Sequence, residues 1–229
     1  MQKLAVPIAI VLAGGLIAAA LYFASGSQSG TISADYDQDN VAVSEEIRGV
    51  QSDDHILGNP NAEIVIVEYS DTECPYCKQF HSTMHQVIDK YGANGDVAWI
   101  YRHFPLTQLH PKAAKQAEAL ECAAELGGND VFWTYTDRLY EITPSNNGLE
   151  MTLLPEIAEE AGLDRVEFEA CLDSGKYAGK VQGDFDEVIA AGGRGTPHSI
   201  ILIEGEQIPL EGAQTFEVLD GMIQAVLAE

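Results

Sequence analysis

The chain has 229 residues and carries 36 acidic against 12 basic side chains, a net charge of −24 at pH 7. A surface of that sign repels nucleic acid and anionic lipid, which excludes phosphate-backbone binding as a function. The length allows one large or two small domains with a sizeable core. No Asp-x-Asp-x-Asp-Gly loop turns the acidic surplus into a calcium site, so it reads as a solubilising surface.

The first segment differs in kind from the rest. Leu4 to Ala24 is a run of 21 residues without a charge. A spanning helix needs about 20 apolar residues, whereas the apolar core of a cleavable signal has about 7–15. Residues 1–25 therefore read as a transmembrane anchor, with a cleaved signal as the alternative because Ala20, Ala24 and Ser25 offer small residues for processing. Lys3 before the run fits an orientation with the N-terminus inside. Either reading exports the remainder to the periplasm or the outer face of the cell membrane, or secretes it, and disulfides persist there. Residues 26–54 are polar and read as a tether, with a short helical turn over Val41 to Val50.

Next come a short strand at His55–Gly58, a turn at Asn59-Pro60-Asn61, and an apolar strand, Ile64 to Tyr69. A helix follows from Pro75 to Tyr91 and a second long strand from Val97 to His103, giving a β-α-β unit with parallel strands. From residue 111 to 191 the pattern is helical. Ala113, Ala114, Ala117, Leu120 and Ala124 lie at helical spacing up to Gly127-Gly128, and Phe132 to Tyr140 forms a second helix. After a loop at Thr143–Gly148, Leu153 to Ala161 forms a third helix. Asp164 caps a fourth that carries Cys171 and ends at Gly175, and Tyr177 to Ala191 forms a fifth. The chain then returns to β at Ser199–Ile203 and Gln207–Leu210 around Glu204-Gly205-Glu206, a hairpin, and closes with an amphipathic helix, Phe216 to Leu227.

Cys74-Pro75-Tyr76-Cys77 lies where the first long strand turns into its helix. Free N–H groups and the helix dipole at that end favour a thiolate, the form that attacks a disulfide. Cys74 is the expected nucleophile, and Cys77, one turn further into the protein, the resolving thiol. A zinc site would need two more ligands at matched spacing, and Cys122 and Cys171 do not provide a second Cys-x-x-Cys. His81 and His85 stand four residues apart, but with no carboxylate pair in phase they read, like His103 and His110, as ordinary histidines; no metal and no cofactor is expected. Trp99, Phe104, Phe132, Trp133 and Tyr140 read as packing for the core and insert.

The motif, Glu68 six residues before it, the helical insert of about 80 residues and Gly195-Thr196-Pro197 together resemble the DsbA-type thiol–disulfide oxidoreductases over residues 53–229. The resemblance implies an α/β thioredoxin fold, β-α-β then β-β-α. Residues 55–110 and 192–229 form the thioredoxin-like part, and 111–191 a helical insertion ahead of the cis-proline hairpin. It gives Glu68 the place of a partly buried acid beneath Cys77, moving the resolving thiol's proton. It makes Thr196–Pro197 a cis bond beside the cysteines, with Thr196 holding an extended substrate segment. Pro75 and Tyr76 flank the nucleophile and face substrate. Strongly oxidising members carry histidine at Tyr76's position, and glutaredoxins share Cys-Pro-Tyr-Cys, so a less extreme potential is expected. His198 either tunes the thiolate and meets substrate or points away along its strand. Cys122 and Cys171 are expected to form a structural disulfide, with a second redox relay as the rival.

The function implied is an extracytoplasmic dithiol oxidase, monomeric and without cofactor. It would act on unfolded or reduced exported proteins and be recycled by a quinone-linked membrane partner. A reductase or isomerase running the same site, and a thioredoxin-fold peptide-binding holdase, are the alternatives.

Overall fold

Ile64-Val65-Ile66-Val67-Glu68-Tyr69-Ser70 is buried at every position, which requires a neighbour on both edges and a layer on both faces. The computed structural model, which describes residues 45–228, supplies all four. Strands β1 (His55–Gly58), β2 (Ile64–Ser70), β3 (Val97–His103), β4 (His198–Ile203) and β5 (Glu206–Glu211) form one sheet in the order β1-β3-β2-β4-β5. β2 and β3 run parallel and the other pairs antiparallel. Glu204 and Gly205 make the two-residue β4–β5 turn, both at positive φ (51° and 88°), as a turn matched to strand twist requires.

Alternation along β2 assigns its side chains to two cores. Ile64 and Ile66 point to the face covered by α1 (Pro75–Tyr91) and α6 (Phe216–Val226), packing with Phe80, Met84, Trp99, Leu219 and Ile223. This core continues without a break into the insert through Leu120, Phe132, Tyr135 and Phe168. Val65, Val67 and Tyr69 point to the opposite face, against Ile100, Phe104, Ile200 and Val188 of α5 (Ala178–Ala190). Each large aliphatic or aromatic side chain so buried contributes about 1.5–3 kcal/mol.

The insert consists of α2 (Ala113–Ile142), a 3-10 turn at Met151–Leu153, α3 (Leu154–Glu160), α4 (Arg165–Ser174) and α5. The two helices expected on either side of Gly127-Gly128 are the two arms of α2. They meet at a kink where Gly128 takes φ 79°, ψ −171°, a conformation closed to residues with a Cβ. Asp164 caps α4 by accepting from the backbone N–H groups of Val166 and Glu167 at 2.9 and 3.0 Å. Cys122 on α2 and Cys171 on α4 are joined as a disulfide.

Two expectations are corrected at the N-terminal side. The tether was read as running to residue 54, but residues 45–54 are part of the domain. Ile47 is buried, Glu45 donates to the Ala190 carbonyl, and Arg48 is bonded to Asp184 and Glu187 of α5. Asp54 pairs with Arg102, which is itself 1% exposed. Residues 45–50 take up no regular structure, so the helical turn expected over Val41–Val50 does not form in its described part. Residues 41–44, the anchor at 1–25 and the tether from 26 to 44 lie outside the described residues. Among the described residues no helix is long and apolar enough to cross a membrane.

Candidate active site

The β2–α1 turn places the two cysteines. Cys74 is the residue before the first helical position of α1, and Pro75 follows it with no N–H to leave unpaired. Its carbonyl accepts from Lys78 at 3.1 Å and starts the helix. Pro75 and Tyr76 are exposed, Tyr76 to 63%, so the rim of the site is theirs. Cys74 is only 5% exposed, more enclosed than a helix-end position suggests, and Cys77 is fully buried. Both are free thiols.

Because β4 lies directly beside β2, the loop ahead of β4 arrives over the same helix end. The Thr196–Pro197 bond is cis, and the Cys74 thiol donates to the Thr196 carbonyl at 3.4 Å across 122 residues of sequence. A cavity at this loop is lined by Arg194, Gly195, Thr196, Pro197, His198, Glu211 and Gly212. His198 sits opposite Tyr69 in the β2–β4 register and so shares its sheet face, turned away from α1. Its ring therefore stands on the sheet face opposite α1, and it lines this cavity.

The two sulfurs differ in their electrostatics. The Cys74 pKa is pushed down to about 6: the Cys77 thiol hydrogen-bonds its sulfur, and this together with the Cys77 and Tyr76 N–H groups outweighs burial. Burial pushes Cys77 well above the ordinary thiol range, and charge on Cys74 and Glu68 adds to this. One thiol is thus prepared to be an anion and the other to hold its proton.

Glu68 was expected to be partly buried; it is wholly buried. Burial raises its pKa to about 7, against the opposing hydrogen bond from Trp99. Trp99 Nε1 donates to one carboxyl oxygen at 3.0 Å, while the other has no protein partner. Trp99, read from sequence as core packing, thus also orients the acid. Ser70, Tyr140 and Tyr101 form a buried hydroxyl chain alongside, with 2.9 and 3.1 Å separations.

Sequence reasoning missed Asp71 and Glu73, which hold the turn. Asp71 accepts from the Glu73 and Leu106 N–H groups at 2.8 Å each and from His110 Nδ1 at 2.9 Å. Glu73 accepts from Gln116 Nε2 and the Asn147 N–H at 2.5 and 2.6 Å. Asp71 fastens the cysteine loop to the segment after β3 and Glu73 fastens it to the insert, and being acids in a strongly acidic chain they gave no signal of their own. The Cys122–Cys171 bond lies in the insert core rather than in this turn.

An acidic thiol at a helix end, a buried partner thiol, and a buried acid that titrates near neutrality together make the equipment of thiol–disulfide exchange. Comparison with known proteins agrees. A family model described as Thioredoxin matches residues 51–225. DsbA2 of Pseudomonas aeruginosa is similar in structure, with 26% identity and a TM-score of 0.65 over 78% of this chain and 97% of that one. BdbD from Bacillus subtilis, at 23% identity, shares the fold with a TM-score of 0.65 over 77% of this chain and 94% of that one. Among curated sequences, the Na(+)/H(+) antiporter NhaA 3 of Salinispora tropica is 35% identical over 63% of this chain. The Na(+)/H(+) antiporter NhaA of Herminiimonas arsenicoxydans is 31% identical over 75%. The chain spans about a quarter of these relatives, 21% and 25% of their lengths, so the match does not carry ion transport to it.

Proposed function

Because the chain belongs to the thioredoxin family, we propose that it is an extracytoplasmic dithiol oxidase that passes the Cys74–Cys77 disulfide to exported proteins. The observation that carries this is the contrast between the two thiols, Cys74 at about 6 and Cys77 well above its usual range. Hydrogen bonds to a thiolate stabilise the reduced protein and not its disulfide, so the pair favours accepting electrons.

The cycle starts with the Cys74–Cys77 bond formed. A substrate thiolate attacks Cys74 Sγ, the intramolecular bond breaks, and Cys77 leaves as a thiolate that takes the Glu68 proton. A second substrate thiolate then attacks the substrate sulfur of the mixed disulfide, and Cys74 departs as the stabilised thiolate. The substrate loses two electrons and the protein gains two. Pro197 lines the site without an N–H near the reactive sulfur, and Thr196, Pro75 and Tyr76 border the exposed rim where an extended substrate segment binds. A quinone-linked membrane partner reoxidises the pair. Residues 1–25 anchor the protein, a tether follows, and Cys122–Cys171 is the structural disulfide that an oxidising compartment permits. The protein acts as a monomer without a cofactor.

Refolding of a reduced, disulfide-containing protein alongside insulin reduction tests the reading. Cys74→Ser is expected to abolish both activities. A variant equal to the parent in both would replace the enzyme reading with peptide holding, and a parent active only in insulin reduction would make the protein a reductase.

A further inference from the structure

One group of side chains takes no part in this chemistry. His81 and His85 lie one turn apart on α1, and Asp137 reaches them from the second arm of α2. The two Nε2 atoms are 3.2 Å apart, and the same Asp137 oxygen, Oδ1, lies 2.7 Å from one and 2.8 Å from the other. Three candidate ligand atoms therefore form a closed triangle, two from the thioredoxin part and one from the insert.

We propose that His81, His85 and Asp137 form a site for a divalent transition-metal ion of the zinc class. The inference is independent of the redox reading. Without an ion, both imidazoles must present Nε2–H to one carboxylate oxygen, crowding two donors against each other. With an ion, each ring and the carboxylate contribute a lone pair to one centre. A tetrahedral zinc with bonds of about 2.0–2.1 Å sets its ligands about 3.3 Å apart. The histidine pair is already near that spacing, and the two edges to Asp137 must open by about 0.5 Å. Asp137 can yield that distance, since its side chain is 45% exposed, whereas His81 is held at 7% between Trp99 and Tyr140.

Chemistry of the donors sets the class of ion. Two imidazoles with one carboxylate suit zinc and its neighbours, while calcium and magnesium take oxygen shells. The fourth position opens on a cleft of about 630 Å³ also lined by Lys78, Ser82, Thr134 and Arg138. Its two cations are engaged elsewhere: Arg138 pairs with Glu141 and Glu160, and Lys78 donates to the carbonyls of Glu141 and Thr143. Three protein ligands and one open position are the arrangement of an exchangeable site rather than a closed structural one.

The test uses the untagged full chain in detergent, oxidised so that Cys74 and Cys77 are bonded and cannot bind metal. Titration with Co²⁺, followed by Zn²⁺ displacement, should give visible ligand-field bands that saturate at one ion per chain. His85→Ala and Asp137→Ala, both at part-exposed positions, should each weaken binding by at least about tenfold. Glu141→Gln, in the same cleft, should bind as the parent does. Zn²⁺ should raise the Tm of the parent and of Glu141→Gln but not of the other two. Absence of ligand-field bands, or parent-like affinity in either His85→Ala or Asp137→Ala, would overturn the assignment.

Discussion

Replacing Glu68 by Gln isolates what the buried acid costs and what it does. In the unfolded chain a glutamate ionises near 4.5, and in the fold not until about 7, because burial opposes the charge. Between those pH values the native state holds a proton that the unfolded state has lost, so stability falls as pH rises through this window. Below 4.5 both states are neutral and the penalty is absent; above about 7 it is complete. At 1.36 kcal/mol for each pH unit of that gap, the full penalty is about 3 kcal/mol. Glutamine keeps an oxygen for the Trp99 N–H and cannot ionise. Reduced Glu68→Gln should therefore match the parent in urea unfolding at pH 4 and exceed it at pH 8 by about 3 kcal/mol. For a domain of this size that is about 6–12 °C in Tm. The same substitution should slow Cys77 release by about 10²-fold, since the leaving thiolate loses its proton source. Equal stability differences at pH 4 and pH 8 would refute the argument, for they would mean that Glu68 does not change charge state within the fold.

Alkylation of the reduced protein by iodoacetamide should follow a single titration with its midpoint at about 6, from Cys74; a midpoint at the free-cysteine value of about 8.5 contradicts the thiolate reading. Replacing both Cys122 and Cys171 by Ser removes the cross-link between positions 49 residues apart. It should lower unfolding free energy by up to about 4 kcal/mol in the chain-entropy account. Oxidation of a substrate by Cys74–Cys77 should continue at the parental rate in that variant, and a collapse of turnover with the fold intact would make the second pair a relay.

Much of the architecture was legible because its signals are local. The all-apolar character of 64–67 marks a central strand, Asp164 and Gly175 mark the ends of one helix, and Glu204-Gly205 marks a hairpin. Gly127-Gly128 marked a stop that the structure realises as a kink, since Gly128 breaks the backbone geometry while the helix resumes after it. The two thiols were legible for the same reason, a strand running into a helix at Cys74.

What the amino-acid order alone determined is the chemistry of one turn, a thiol at the residue that opens a helix with a second thiol one turn inside. Tertiary structure alone decided how that turn works. Pairing of β2 with β4 brings the Thr196 carbonyl to Cys74, and register with β3 sets Trp99 against Glu68. Packing of the insert across α1 adds Asp137 to two histidines that spacing left without a carboxylate. It was also burial beneath neighbouring layers, not sequence position, that turned Glu68 into an acid titrating near neutrality and drew residues 45–54 out of the tether. Propensity and periodicity act over a few residues, whereas desolvation and the meeting of distant side chains depend on sheet order and on which layer covers which face.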